Sequence, residues 1–284
     1  HLQPGICTPE AVASLAADGC DALLDQAFDL FRREMTAVDP DYAAETGLGD
    51  ATPETFGAAY FHRRSGVDPF VWAELNLAEA RANHATRTTV AWRDALLRLH
   101  EVIAAVVPHL DRSQAERFDR HLKPVFVDAY AAVPHDTIER LLALRRAGVL
   151  EVVALGADHS IDTRINGGGA RVVIGDRRMV FPVFIEATGQ KTLGALQFPF
   201  LSLIEQGVVR DGMSGDGCRG IDVDAHFNLL AEGLPRDRLF CLSLPFILGR
   251  HPFAQGVTSS QQMGEIVGRR LAAAVQRAAQ PVDS

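Results

Sequence analysis

The spacing of apolar residues changes near the middle of this 284-residue chain, and that change limits the folds open to it. Up to Gly148 the apolar positions recur every three or four residues, the period of helices buried along one face. Val12, Leu15 and Ala16 lead to Leu23, Leu24, Ala27, Phe28 and Phe31, with Gly19 dividing the run into two short helices. Thr8-Pro9-Glu10 supplies an N-cap, a first-turn proline and an acid near the positive helix end. Residues 36–69 hold Pro40, Gly47, Gly49, Pro53, Gly57, Gly66 and Pro69, which predicts a loop-rich connection with a short helix after Thr52-Pro53. Helices are expected at about 70–83 and 89–107. A third block spans Ser113 to Tyr130, with Ser113 and Glu116 as a capping box and Pro124 as a kink. Asp136 then caps a helix that Gly148 stops.

Beyond Gly148 the apolar runs are short and bounded by turn residues, which is a strand signal. Leu150–Leu155 reads as a strand. Arg171–Ile174 and Met179–Ile185 read as a hairpin about Gly175-Asp176. A short helix is expected over Phe200–Gln206, with strands near Val208–Arg210, Ile221–Val223 and Leu239–Leu244. The last element is a helix with Ser259 and Gln262 as its capping box and an apolar stripe at Met263, Ile266, Val267 and Leu271. Two regions follow: a helical one over 1–148, and a small mixed sheet with a terminal helix over 149–284.

A net charge of -8 argues against a dedicated nucleic-acid or anionic-membrane binder, which needs a basic surface. No apolar run approaches the roughly 20 residues of a spanning helix. The cysteines, Cys7, Cys20, Cys218 and Cys241, form no CxxC pair and read as reduced thiols, consistent with a cytoplasmic setting.

Several motifs fail in context. Gly215-Asp216-Gly217-Cys218-Arg219-Gly220 matches GxGxxG, yet a strand-like Ile221-Asp222-Val223 follows where a dinucleotide site needs a helix N-terminus. Asp216 would also set a carboxylate against phosphate. His100-Glu101 begins a zinc motif, but Ala104 stands in place of its second histidine. Met213-Ser214-Gly215 is like a nucleophile elbow, with Asp216 in place of the second glycine. Hydrolase chemistry has no positive support.

Two stretches survive. Val180-Phe181-Pro182-Val183-Phe184-Ile185-Glu186 runs into Ala187-Thr188-Gly189-Gln190, small residues that admit a close backbone approach. Gly249-Arg250-His251-Pro252-Phe253-Ala254-Gln255-Gly256 joins an apolar strand to the final helix, whose free N–H groups suit an anionic or polar ligand edge. Together they resemble the C-terminal part of FAD/NAD(P)-binding oxidoreductases with two dinucleotide folds. Residues 92–101, 116–124 and 138–148 resemble a bacterial group of these flavoproteins, distantly similar to flavin-dependent N-hydroxylating monooxygenases. The likeness covers about Ala91 to Ala279.

The resemblance implies an α/β flavoprotein, of which this chain alone would be α+β: a helical insertion, a mixed sheet and a flavin-capping helix. It implies FAD and NAD(P)H as cofactors and a small-molecule substrate. Ala187, Thr188 and Gly189 would meet the cofactor through backbone, with Gln190 and Arg250 as neighbours. Gly249, Gln255, Gly256, Ser259 and Ser260 would face the flavin ring. The family's N-terminal GxGxxG and second glycine-rich loop have no counterpart here. His1 therefore reads as the cut end of a longer protein, with a dinucleotide-binding region as the missing partner. No catalytic acid or base is assigned. The alternative reading is a non-catalytic binding module that self-associates through exposed apolar surface.

Overall fold

The computed structural model describes residues 3–17, 22–189, 191–214, 217–230, 236–254 and 256–279. The architecture is α+β, helices with small antiparallel sheets. The chain forms two compact units that interleave along the sequence. Unit one takes residues 1–65, 83–132 and 191–284, and unit two takes 66–82 and 133–190.

The first part of unit one is a body of helices: α1 (Pro9–Ala17), α2 (Leu23–Val38), α3 (Pro40–Glu45), α4 (Pro53–His62), α6 (Ala91–Ala104), α7 (Arg112–Arg117) and α8 (Lys123–Tyr130). Helix α5 (Pro69–Thr86) begins in unit two and ends in unit one. The strongly amphipathic α2 buries Leu24, Ala27, Phe28, Phe31 and Met35 along one face, the 3.6-residue stripe expected of it. Phe31 meets Phe56 and Phe126 edge-on, with centroids 5.4 and 5.7 Å apart. Such pairs add to the burial of their large apolar surfaces. Between α7 and α8, residues Phe118–Leu122 form a single π-helical turn, so the break expected at Pro124 falls just before it. Gly57 of α4 lies so close to the His121 carbonyl that a Cβ would stand 2.5 Å from the oxygen.

The stretch 36–69 is more helical than expected. Asp39 accepts from the Tyr42 N–H, and Thr52 and Thr55 form a capping box. Pro40 and Pro53 each follow such a cap, where a proline starts a helix because its missing N–H would be unpaired anyway. At α7 the cap is Asp111, which accepts from the Gln114 N–H at 2.9 Å. Ser113 sits inside the helix and donates to Asp111, so the expected Ser113 box does not form.

The second part of unit one holds β4 (Asp211–Ser214) paired antiparallel with β5 (Gly217–Ile221), the short helices α10 (Leu201–Glu205) and α11 (Leu244–Ile247), and the long α12 (Gly256–Ala279). Its core gathers Val209, Ile221, Val223, Phe227, Ile247, Met263 and Val267. Of the strand expected at 221–223, Ile221 ends β5 and Val223 makes a single bridge to Leu229, while the strand expected at 239–244 reduces to the bridge between Asn228 and Phe240. Val208–Arg210 is not a strand; the ladder begins one residue later. Gly220, at φ +94°, packs against the Phe246 carbonyl where a Cβ would collide.

Unit two contains the start of α5, helix α9 (His135–Arg146) and an antiparallel sheet of β1 (His159–Asp162), β2 (Ala170–Ile174) and β3 (Arg177–Phe181), in that order. Arg81 pairs with Glu139, and Arg145 lies over the Phe70 ring, so α5 and α9 run antiparallel. The β2–β3 hairpin forms about Gly175, as expected. Gly148, at φ +72°, ends α9. The expected strand at Leu150–Leu155 does not form; these residues lie outside any ladder. The mixed sheet is likewise corrected: all described ladders are antiparallel, because short turns connect their strands and a parallel pair needs a crossover.

Candidate functional site

The residues singled out from the sequence divide between the units. Ala187, Thr188 and Gly189 lie after β3 in unit two, in no helix or strand. All three are exposed, and Thr188 donates to the Glu186 carboxylate at 3.1 Å. Gly189 holds φ +90° with no atom within 4 Å of where a Cβ would lie, so its backbone is open to approach. Gln190 and Gln255 lie outside the described residues.

Gly249, Arg250, Gly256, Ser259 and Ser260 come together in the turn after α11 and the first turns of α12. Gly249 is buried. Gly256, at φ +91°, starts α12, three residues earlier than the expected Ser259 cap. Ser259 consequently lies within the helix and donates to the Phe253 carbonyl at 3.4 Å. Ser260 donates to the Gly256 carbonyl at 2.9 Å, an i to i−4 bond inside the helix. The expected Ser259–Gln262 box is replaced by the glycine start.

Around this turn stands a charged network. Asp222 takes Arg210 at 3.2 Å and Arg250 at 3.5 Å. Asp224 accepts from the backbone N–H groups of His226 and Asn228 and from the Asn228 amide. Burial pushes its carboxyl up, but these donors more than offset that and hold it below the usual range. Asn228 accepts in turn from the Asp237 N–H at 2.9 Å. The buried Asp237 carboxylate takes Arg277 at 2.7 Å and Arg270 at 4.0 Å, and Arg270 also reaches the His226 ring. Arg270 and Arg277, seven residues apart, share a face of α12. Arg269 instead pairs with Glu265.

His251 packs on Phe227, with centroids 4.9 Å apart. Burial, aided by the Arg250 charge, lowers its pKa and favours the neutral ring. Sequence reasoning missed this network, although Asp222-x-Asp224-x-His226-x-Asn228 carries a period-two polar pattern.

Other suspected motifs resolve into structure. Gly217–Gly220 belongs to β5, so the GxGxxG string passes into a strand. His100 lies against Tyr130 and Phe253, and the described residues hold no group of three or more metal-ligand side chains. Cys7 and Cys241 are free and buried. Burial, with Glu34 nearby, pushes the Cys7 thiol up to about 12, which disfavours thiolate chemistry there. No described helix is long and apolar enough to cross a membrane.

Comparison with known proteins adds a relationship without a chemistry. Residues 8–130 match a YdhS-like middle domain. That span starts one residue before α1 and stops at the last residue of α8. Over 273 residues, 96% of this chain, the sequence is 36% identical to the uncharacterized protein YdhS of Escherichia coli K12. The chain spans about half the length of that relative, 50%. No solved structure matches.

Proposed function

We propose that the chain forms part of an FAD- and NAD(P)H-dependent oxidoreductase of the monooxygenase-like kind, acting on a small molecule. When bound, the cofactors supply the redox chemistry: the nicotinamide reduces the flavin, which reacts with oxygen or passes its electrons on. The protein's share is orientation and exclusion of water. The observation carrying this reading is the passage from Gly249 into α12. A left-handed Gly256 there opens a helix of 24 residues. The first N–H groups of such a helix lack intrahelical partners and point at whatever lies beyond its end. The open backbone at Gly189 is a second place where a flat ring could approach.

The described residues do not fit the pyrophosphate of a dinucleotide. The one GxGxxG string continues as β5, and a strand offers no helix end to the phosphates. The proposed contribution is therefore confined to the ring edge, and the chain alone is not expected to turn over. Its similarity to half of a longer relative leaves polypeptide in that relative for the cradles.

Visible spectroscopy tests this. Added FAD should give no tight yellow complex with the present chain, whereas full-length E. coli YdhS should purify with flavin that NADH or NADPH bleaches. A colourless full-length relative, indifferent to added FAD, overturns the proposal. The exposed Val257 and Val275 of α12 favour self-association as a second reading. Sedimentation showing a concentration-dependent dimer without any cofactor effect would support it.

A further inference from the structure

Unit two carries two apolar segments with a strand pattern that join no ladder among the described residues, although the Glu151 side chain pairs with Arg177 of β3 at 3.5 Å. Residues 151–155 and 183–187 belong to no helix or strand, and among the described residues no backbone hydrogen bond joins either to a ladder. Most of their side chains face water: Val152 is 57% exposed, Val183 71% and Ile185 81%, with Leu155 half-buried. Sheet edges that remain in water are normally blunted by charge, by bulges or by being short. Here Glu151 is the single charge across 149–155, and 180–185 has none. Pro182 removes one donor and leaves those of Val183, Phe184 and Ile185.

The pattern says how these segments are covered. Val152-Val153 and Val183-Phe184-Ile185 are apolar at consecutive positions, so both faces of each would be apolar in a strand. A half-wet antiparallel edge alternates apolar and polar; continuous apolar runs belong to strands with layers packed on both faces. Two copies of this chain meeting edge to edge would leave one apolar face wet. A central sheet from other polypeptide would not, and the matched relative is twice the length this chain spans.

We propose that residues 151–155 and 183–187 are strands of a sheet completed by polypeptide outside this chain, the counterpart of the half of the E. coli relative that the chain does not span. The occupant is thus an apolar sheet with an open strand edge and layers on both faces. This does not rest on the flavin reading, since any such sheet would serve.

Hydrogen exchange tests it on the proteins as they exist. In the present chain the amides of 151–155 and 183–187 should exchange at nearly the rate of open chain. In full-length E. coli YdhS the aligned segments should exchange roughly 100-fold more slowly, as core strands do. Equally fast exchange in both proteins overturns the proposal. So does protection in the present chain that grows with its concentration, which would make a second copy the occupant. As a further check, Ile185→Lys should leave the melting temperature of this chain unchanged. A marked drop would mean that the segment already packs within the chain, and would overturn the proposal as well.

Discussion

Phe253 sets its ring edge-on against Phe126 of α8, with centroids 5.8 Å apart and planes at 72°. The same ring meets Phe118, Tyr130 and His100 within about the same distance. A residue two positions after the His251 turn thereby fills a slot in the helical body, tying the 191–284 segment to helices formed more than a hundred residues earlier. Truncation to alanine would empty that slot. Phe253→Ala should destabilise unit one by about 2–3 kcal/mol, at the low end for a phenylalanine because the ring is only partly buried. Phe253→Leu should recover part of the loss. Urea unfolding measures both, and equal stability of wild type and the alanine variant would show that the ring is not an anchor.

Glu34 holds the start of the chain. Its Oε2 accepts from the backbone N–H groups of Gly5, Ile6 and Cys7 at 2.9, 2.5 and 3.0 Å. The carboxylate is 6% exposed, so removing it leaves three donors without their acceptor. Glu34→Ala should cost about 2–3 kcal/mol, and Glu34→Gln, which keeps one carbonyl oxygen, about 1. Alkylation of the buried Cys7 thiol, followed by peptide mass spectrometry, should speed up in the same order. A Cys7 that reacts no faster in Glu34→Ala would contradict this role.

Acid should loosen the contact between α2, α4 and α7. Arg117 donates to Asp25 at 2.8 and 2.7 Å and to Glu54 at 2.6 Å. The Arg117 hydrogen bond lowers the Glu54 carboxyl to about 2 from an ordinary 4.5. A carboxyl depressed on folding stabilises above its unfolded pKa, and the benefit is lost as pH falls from about 4.5 towards 2. Because the pair is about one-third exposed, solvent screening limits the effect to about 1 kcal/mol. The stability gap between wild type and Glu54→Gln should therefore be present at pH 6 and shrink below pH 4. A gap that does not change with pH counts against the ion pair.

Asp237 serves both the backbone and α12. It adopts φ +61°, a conformation asparagine and aspartate tolerate better than other side-chain residues, while its carboxylate takes Arg277. Asp237→Asn keeps the tolerance and loses the charge, and should cost about 1 kcal/mol; Asp237→Ala loses both and should cost about 2–3. Thermal melts would rank them. An alanine variant no worse than the asparagine one would remove the backbone argument.

Much of the helical half could be read from residue order. The stripe of α2 and the Gly148 stop follow from periodicity and backbone freedom, which are local properties; the break expected at Gly19 lies outside the described residues. The prolines at 40 and 53 were legible in kind and misread in effect, since a proline after a capping residue begins a helix. Ala187–Gly189 and Gly249–Ser260 were recognisable as turns, but their division between two units was not. Neither was the network of Asp222, Asp224, Asn228 and Asp237 with the arginines of α12, because its members meet only after the chain returns.

By itself, then, the sequence determined a helical first half, turn-rich short strands after Gly148 and an amphipathic terminal helix. These depend on the period of apolar side chains and on which residues tolerate caps and left-handed turns. Tertiary structure decided which strands pair. Leu150–Leu155 and Val183–Ile185 have as strong a strand pattern as Ala170–Ile174, yet only the last lies in a ladder. A strand has no internal hydrogen bonds to complete, unlike a helix, so its existence waits on a neighbour that residue order does not name.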